Sequence, residues 1–537
     1  MPADAPGPFG PIALSFSGGG ARAVGFHIGV LAYLDRLALL EDVAVLSTVS
    51  GGTFVGTSWA LSVKEGVPFA RYLADTYRFL GTAPFFDRAI QELTAKNPPL
   101  PGARRTLAVS IAKAWDVLYF KGRRFEIFWR PEPVIHLEEI TFNATDFKNG
   151  ISFRFQKSAG RARIGNGKVS ITDEQAQRIR MADIMSASSA IPGGVEPLAF
   201  PQDFAWPGDD GGVAAREEIQ ASLREQVKTD TIPLMDGGAY DNQGIDSVLL
   251  AEQRRLRRGQ SALGLFVICD TRLRTDTFYT MPAPPPPGKI TFTHVNRWMW
   301  GLIGTAGATV AALIAHFIED THRADLVHVV GFVVPMIMAL ALAGSLLWAR
   351  EKVLSIIADL SKVVRAPWSR LDRLTTNVAA DLVNLRVGSM LALTDDIFMN
   401  RIRSLNYAYV FTQPDLKNRI VANEIYDVVT AVDGAEAAGL PGWLTASPAM
   451  VEVAKAASTM GTKLWLAAPP PGQHGELDGL LACAQMTTCY NLVRHMAQSC
   501  RKPDGTFTDP RLDALWTKAQ ADWMAMRANP YAFVPSL

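Results

Sequence analysis

Two long apolar runs near the middle of the chain limit what it can fold into. They are WMWGLIGTAGATVAALIAHFI at 298–318 and LVHVVGFVVPMIMALALAGSLLW at 326–348, neither with an Asp, Glu, Lys or Arg. About 20 apolar residues span the hydrocarbon core of a bilayer, and only the short segment EDTHRAD separates the two runs. The pattern predicts a transmembrane hairpin of two helices over 298–348. A pair of core helices in a large soluble domain is the alternative.

The residues that flank the hairpin favour the membrane alternative. Trp298, Trp300 and Trp348 lie where an interfacial aromatic belt is expected. Basic residues lie outside the hairpin, whereas Arg323 in its loop is accompanied by three acidic residues. The outer basic residues are Lys289, Arg297, Arg350, Lys352, Lys362 and Arg365. The positive-inside rule then predicts a membrane protein whose two flanking domains face the cytoplasm.

The rest of the chain divides around this hairpin. Residues 10–280 alternate β-branched runs with helical stretches and predict an α/β domain. A proline-rich linker is predicted at 281–297, and a mostly helical region at 349–537. Within that last region, SLNYAYVFTQ at 404–413 has a strand-like composition and could return to the sheet of the first domain.

Composition excludes several classes of partner and cofactor. With 53 basic and 52 acidic residues the net charge is +1, so no global field attracts nucleic acid. The four cysteines do not form a disulfide framework or the paired spacing of a zinc site, and no metal is predicted. The N-terminus lacks the basic segment and apolar core of a secretory signal.

Three consecutive glycines lie between a predicted strand and a predicted helix in SFSGGGARAVGFHIGVL, at 15–31. In a dinucleotide-binding fold, such glycines bring a pyrophosphate to the helix N-terminus. Gly18, Gly20 and Ala23 fit that spacing, and Glu41 lies about 20 residues further on. In an acyl hydrolase, consecutive backbone N–H groups form an oxyanion hole instead. The glycines alone do not decide between the two.

A serine and an aspartate follow other predicted strands. Ser50, in LSTVSGGTFVG at 46–56, resembles the nucleophile on the sharp strand-to-helix turn of serine hydrolases. If the first two strands are parallel neighbours, this turn lies beside the glycine loop. Asp236, in PLMDGGAYDNQG at 233–244, could supply a base. A helix N-cap for Ser50 and a simple turn at Asp236 are the alternatives.

The order of these pieces resembles that of the patatin-like phospholipases. SGGGARAVGFHIGVL, STVSGGTFVG, NATDFKNGISFRF, SASSAIPGG and DGGAYDN follow one another between residues 12 and 246. By itself SASSAIPGG predicts only a tight loop. The resemblance implies a three-layer α/β/α domain with a mainly parallel sheet. It also implies a serine acyl hydrolase of phospholipid or lysophospholipid esters, and its motifs imply no cofactor. The predicted hairpin would hold the catalytic domain against a lipid bilayer, which is its expected partner.

The resemblance further implies roles for individual residues. Ser50 matches the nucleophile of the family and Asp236 its base, in a dyad without histidine. The residues that match the oxyanion hole and the supporting motif positions are Gly18, Gly19, Gly20, Arg22, Gly51, Gly52, Gly237 and Gly238. Thr48 departs from the pattern G-x-S-x-G, in which the first glycine packs against the following helix. A threonine there implies a more open turn or a small facing residue.

The same residues allow other interpretations of the function. A histidine triad would add His474 or His495 to Ser50 and Asp236. A neutral-lipid or small-ester hydrolase would use the same dyad. A membrane scaffold would retain the site only as a vestige, and a dinucleotide-binding protein would use the glycine spacing alone.

Overall fold

The structure is a computed structural model of the 537-residue chain. It describes residues 7–97, 100, 102–158, 161–208, 212–273, 279–286, 288–319, 326–364, 375–432, 439–463, 465–466 and 473–535. The chain divides into two compact units, one of Met1–Phe278 with Thr394–Leu537 and the other of Tyr279–Leu393. Residues 349–393, which the sequence grouped with the C-terminal region, lie in the second unit.

The first unit is organised around a nine-stranded mixed sheet. Its strands are β1 (Ile12–Phe16), β2 (Val43–Val49), β3 (Glu139–Asp146), β4 (Ile151–Ser158), β5 (Arg161–Gly165), β6 (Leu198–Phe200), β7 (Ile232–Asp236), β8 (Leu265–Asp270) and β9 (Ile420–Glu424). Parallel pairing links β3, β2, β1, β8 and β9 in that order. The other four strands pair antiparallel: β4 and β7 with β3, β5 with β4, and β6 with β7. The predicted mainly parallel sheet is confirmed.

Helices cover both faces of this sheet. They are α1 (Gly20–Arg36), α2 (Gly51–Lys64), α3 (Phe69–Thr82), α4 (Phe85–Thr94), α5 (Leu107–Trp115), α6 (Asp173–Gln177), α7 (Met181–Ser188), α8 (Val213–Val227), α9 (Gly238–Asp241), α10 (Ile245–Arg257), and the later helices Met399–Thr412, Asp427–Thr430, Pro448–Thr459, Glu476–Ser499 and Arg511–Ala528. Ile12, Leu14 and Phe16 of β1 join a core with α1 and α2, whereas Ala13 joins a separate core with α10. Successive strand residues face opposite sides of a sheet, so the unit has three layers, α/β/α.

The C-terminal part of the chain completes this unit. Helix Glu476–Ser499 packs against α1, and two glycines of α1 permit the close approach. A Cβ at Gly25 would lie 2.7 Å from Leu480 Cδ1, and one at Gly29 would lie 2.7 Å from the Ala484 Cβ. Both distances are well below van der Waals contact, so the AVGFHIG segment fits a partner that comes some 450 residues later in the chain.

The strand that returns to the sheet from this region is β9, which pairs in parallel with β8. The segment 404–413, SLNYAYVFTQ, lies instead almost entirely in helix Met399–Thr412, so its prediction as a strand was wrong. Its tyrosines and valine have strand propensity, but the buried residues of the helix are Arg403 and Val410, two helical turns apart. Burial along one face of a helix therefore outweighed local propensity.

The second unit contains the predicted hairpin. It holds α11 (Phe292–Glu319) and α12 (Leu326–Val364), followed by helix Thr376–Leu391. Phe292–Glu319 and Val330–Lys352 are both long and apolar enough to cross a membrane, and only 6% and 0% of their apolar windows are buried. The described residues therefore do not support core helices of a soluble domain. Residues 320–325 of the predicted turn lie outside the described residues.

The two helices of the hairpin run antiparallel. At one end, Arg350 Nε donates a hydrogen bond to Asn296 Oδ1 at 3.0 Å, and its guanidinium lies 4.7 Å from the centroid of the Trp300 ring. At the other end, His316 packs edge-on against Phe332 with the ring centroids 5.3 Å apart. Contacts at both ends fix the register of α11 against α12.

Candidate active site

Ser50 occupies the sharp turn between β2 and α2. Its backbone has φ +52° and ψ −123°, a combination that residues with a Cβ rarely adopt, and its side chain makes no capping hydrogen bond. The N-cap alternative for Ser50 therefore has no hydrogen bond to support it.

Asp236 lies at the end of β7. Its N–H is bonded to the carbonyl of Ala190, and its carboxylate Oδ1 accepts the N–H of Gly238 at 2.7 Å.

The glycines after Ser50 and Asp236 allow these turns to pack closely. A Cβ at Gly51 would lie 2.2 Å from the carbonyl oxygen of Gly20, and one at Gly52 would lie 2.7 Å from the carbonyl oxygen of Phe16. A Cβ at Gly237 would lie 2.5 Å from the carbonyl oxygen of Asn143. Since the obstacles are backbone atoms, a side chain at any of these positions would displace the turn.

A chain of hydroxyl groups holds the Ser50 turn in place. Ser188 Oγ accepts the Ser50 N–H at 3.0 Å and donates its own proton to the Asn143 carbonyl at 2.6 Å. It must therefore accept from Thr53 Oγ1, 2.7 Å away, and Thr53 must accept from Thr48 Oγ1 at 3.0 Å. A hydroxyl has one proton to donate, so the direction of every bond in the chain is determined.

Ser188 was missed in the sequence because SASSAIPGG predicted only a loop. Its first three residues belong to helix α7, which ends at Ser188, and the turn begins only after that residue. The prediction of a tight loop over the whole segment was therefore wrong. The signal that could have revealed the helix is the apolar spacing of MADIMSA immediately upstream, with Met181, Ile184 and Met185 on one face.

The residue that faces Thr48 is Gly56, on the second turn of α2. A Cβ built at Gly56 would lie 2.3 Å from Thr48 Cγ2. In the pattern G-x-S-x-G a glycine two residues before the serine lets the helix pack closely. Here Thr48 holds that position, and the glycine that allows the close packing is Gly56 on α2. The expectation of a small facing residue is confirmed, and Thr48 also supplies the first hydroxyl of the chain that holds the turn.

We expect Gly56→Ala to destabilise the protein by about 1–3 kcal/mol, because the new methyl group overlaps Thr48 Cγ2. Thr48→Ala removes that atom, so the double variant should recover at least about 1 kcal/mol relative to the sum of the single changes. Urea unfolding of the four proteins measures this coupling. Gly81→Ala is the control, since Gly81 lies in α3 and a Cβ there meets nothing within 4 Å. Simple additivity of the two changes would contradict this account.

The glycine loop lies beside the Ser50 turn, at the carboxyl ends of the parallel neighbours β1 and β2, as predicted. Gly18 donates its N–H to Asn242, at 3.0 Å from the backbone oxygen and 2.9 Å from Oδ1. Of the three predicted oxyanion-hole residues, Gly19 and Gly20 are therefore the better candidates, because the Gly18 N–H is already bonded. Gly19 has φ +154° and Gly20 φ +60°, so a side chain at either would be strained.

Two cavities meet at Ser50. One is apolar, and the other is polar; Ser50, Gly20, Ile191 and Thr462 line both. The apolar cavity is bounded by residues that include Leu80, Phe85, Ile111, Trp115, Met185 and Trp465. The polar pocket is bounded by residues that include Gly18, Gly19, Arg22, Asp236, Asn242 and Arg403. The structure thus brings every predicted catalytic and oxyanion residue to the wall of a single pocket.

Arg22 of the glycine-loop motif is buried in the wall of this pocket and donates from Nη1 to the Met460 carbonyl. Burial, together with the positive charge of Arg403, lowers the pKa of Arg22 to about 10. The carbonyl of Lys463 accepts the Ala21 N–H at 2.8 Å at the start of α1. Residues 460–463 therefore lie directly over the glycine loop.

Neither histidine of the alternative triad lines a cavity at Ser50. His474 lies 3.5 Å from Asp478, and His495 is buried elsewhere with its pKa lowered by burial to about 4. The dinucleotide alternative also lacks support, because Glu41 precedes β2 while ligands of such folds bind at the carboxyl ends of the strands. Among the described residues no group of three or more His, Cys, Asp or Glu is placed to hold a metal ion.

A family model described as patatin-like phospholipase matches residues 14–249. Residues 14–249 of the chain therefore carry a patatin-like phospholipase domain. No curated protein matches the chain. A solved structure that is similar is "Human GIVD cytosolic phospholipase A2", with 16% sequence identity and a TM-score of 0.29. That match covers 52% of this chain and 46% of the other, so the chain spans less than half of that protein.

Proposed function

We propose that the protein is a membrane-associated serine acyl hydrolase that cleaves acyl esters of phospholipids or lysophospholipids. The observation that supports it best is the position of Ser50 where an apolar cavity meets a polar pocket. An acyl lipid has the same division, since its ester joins an apolar chain to a polar head. The acyl chain would enter the apolar cavity and leave the ester carbonyl at Ser50.

In the first half-reaction, Ser50 Oγ attacks the ester carbonyl carbon and Asp236 takes the serine proton. The N–H groups of Gly19 and Gly20 stabilise the oxyanion of the tetrahedral intermediate. Collapse of the intermediate breaks the bond to the leaving alcohol, to which Asp236 returns the proton. In the second half-reaction, Asp236 deprotonates water, which attacks the acyl-serine ester. Collapse of the intermediate breaks the bond to Ser50 Oγ, to which Asp236 returns the proton, and the fatty acid is released.

With a Ser–Asp dyad, most of the rate enhancement must come from electrostatic stabilisation of the transition state. A carboxylate is a weak base for a serine hydroxyl. The preorganised N–H groups and the N-terminus of α2, which begins directly after Ser50, therefore have to stabilise the charge that develops on the substrate. The strained, hydroxyl-anchored turn keeps Ser50 aimed at that charge without reorganisation during the reaction.

Fatty-acid release from lipids with one defined acyl chain tests this function. We expect purified wild-type protein in mixed micelles to release fatty acid from lysophospholipids and diacyl phospholipids, and Ser50→Ala to release none. Hydrolysis of neutral glycerides or small esters alone would favour the neutral-ester alternative. Absence of release from every lipid by folded protein would favour a scaffold with a vestigial site.

The hairpin supports attachment to the bilayer that contains the substrate. Trp298, Trp300 and Trp348 are exposed, at 59%, 49% and 64% of their full surface, near the same end of the antiparallel pair. An apolar pair of helices with exposed tryptophans at its base fits insertion into a membrane with an aromatic belt at the interface. The basic residues outside the hairpin then orient the catalytic domain toward the cytoplasm.

Removal of the hairpin should release the protein from membranes. Thr291 and Thr375 form a backbone bridge at the base of this unit, so replacing residues 292–374 with Gly-Ser-Gly joins two points that are already adjacent. We expect wild type to float with liposomes in a density gradient, and the bound fraction of the deletion variant to fall at least ~10-fold. Hydrolysis of a water-soluble ester checks that the variant is folded. Flotation of the variant equal to wild type would contradict hairpin-mediated attachment.

A further inference from the structure

We propose that the polar pocket beside Ser50 binds the phosphate group of a phospholipid, and that Arg403 gives the enzyme its preference for such substrates over neutral esters. This role presupposes the acyl hydrolase function proposed above and specifies its substrate class. Arg403 lies outside residues 14–249, so nothing in the match to the patatin-like family assigns it a function.

Arg403 reaches the pocket from helix Met399–Thr412, which follows the hairpin. It is separated from Gly18 by 385 residues along the chain, yet its Nη2 lies 3.5 Å from the Gly18 carbonyl oxygen. Asn406, three residues later on the same face, donates to Asp241 Oδ1 at 2.9 Å, and Val410 is buried in the second core. The helix is therefore held against α9 and the second core by contacts that do not involve Arg403.

Two buried guanidinium groups with spare donors line the same pocket. Arg22 is 3% exposed and Arg403 6% exposed, and in the described part of the chain the Nε atom of each has no hydrogen-bond partner. Leaving a buried charged donor without an acceptor is costly. An anion with several oxygens would supply the missing acceptors, as guanidinium groups do with phosphate in many proteins.

The charges around the pocket favour a group with a single negative charge. Asp270 lies 3.4 Å from Arg403 Nε without forming an aligned hydrogen bond, and it also accepts from the Gln243 side chain and the Arg272 N–H. Asp236 lines the same pocket and repels further negative charge. Two cations against these carboxylates accommodate a phosphodiester more readily than a doubly charged phosphomonoester.

The pocket has the size and position that a phosphate group requires. Its cavity volume is about 100 Å³, several times the ~10–15 Å³ that one water molecule needs. It meets the apolar cavity at Ser50, so an acyl chain in that cavity and a phosphate near Arg403 would flank the scissile ester. A neutral glyceride would fill the apolar cavity equally well but would leave both guanidinium groups without their anion.

The test compares two substrates that share one acyl chain, 1-oleoyl-lysophosphatidylglycerol and 1-oleoylglycerol. We expect wild type to have the higher kcat/KM for the phosphodiester. Arg403→Gln should lower that kcat/KM at least about tenfold more than the kcat/KM for oleoylglycerol, as expected for loss of a charge-assisted hydrogen bond. Arg403→Lys, which keeps the charge, should recover part of the preference. Arg401→Gln, an exposed arginine on the same helix, is the matched control and should leave the ratio unchanged.

A binding measurement separates recognition from a structural role for Arg403. In the Ser50→Ala background, Arg403→Gln should weaken binding of oleoyl-lysophosphatidylglycerol about tenfold or more, with a much smaller effect on oleoylglycerol. Equal losses for both substrates and both ligands would show that Arg403 only braces the glycine loop, and would overturn the phosphate proposal while the hydrolase function stands. Failure of wild type to cleave either substrate would instead overturn the hydrolase function, and with it this inference.

Discussion

Ser50→Ala is expected to abolish hydrolysis, with a loss on the order of 10⁴-fold or more in kcat, because the substitution removes the oxygen that attacks the ester. A fluorophosphonate probe should label wild type once per chain, and mass spectrometry of the digest should find the adduct on Ser50. The alanine variant should remain unlabelled. Ser261→Ala, which removes an exposed serine, serves as the control for labelling elsewhere.

A second substitution at the same position separates chemistry from folding. Ser50 has φ +52°, where any residue with a Cβ is strained, so Ser50→Gly should raise the free energy of unfolding by about 1–3 kcal/mol while remaining inactive. A protein that is more stable yet inactive cannot have lost activity through misfolding. Labelling of Ser50→Gly equal to wild type, or its destabilisation, would contradict the assignment of Ser50 as a strained nucleophile.

The parts of the site that could be predicted from sequence are those whose residues follow strands. Ser50 follows β2 and the glycine loop follows its parallel neighbour β1, so strand order brings these two to one edge. Asp236 ends β7, which pairs antiparallel with the last residues of β3, so its place at the site was predicted by the motif resemblance and not by strand order. The same reasoning predicted a small residue opposite Thr48, although not that it would be Gly56. For the Ser50 turn, the glycine loop and the residue opposite Thr48, the local sequence pattern was sufficient, because each of these contacts involves one turn and the element next to it.

The parts that could not be predicted depend on distant segments. Arg403 lies in a helix whose composition is typical of a strand, beyond two membrane-length helices, and only the packed structure brings it beside Gly18. Ser188 was hidden for a related reason, because small residues at the end of a helix look like a loop. In both cases tertiary burial determined the conformation and outweighed the propensity of the short segment.

Asp236→Asn is the second change with a large expected effect. The amide has the size of the carboxylate and can still accept the Gly238 N–H, but it cannot take the proton from Ser50. General-base catalysis contributes typically ~10²–10⁴-fold, so kcat should fall by about that factor. Asp230→Asn, which changes an exposed aspartate two residues before β7, is the matched control and should retain full activity.

The pH dependence distinguishes a base from a merely structural carboxylate. In wild type, kcat/KM should fall on the acid side as Asp236 becomes protonated, because only the carboxylate can accept the serine proton. In Asp236→Asn this acid limb should disappear, and the residual rate should rise with hydroxide concentration instead. A structural role would lower the rate at every pH and leave the acid limb in place. Since Asp236 also activates water in the second half-reaction, the variant should accumulate the acyl-enzyme on Ser50 if deacylation is slowed more than acylation, and intact-mass measurement during turnover detects it.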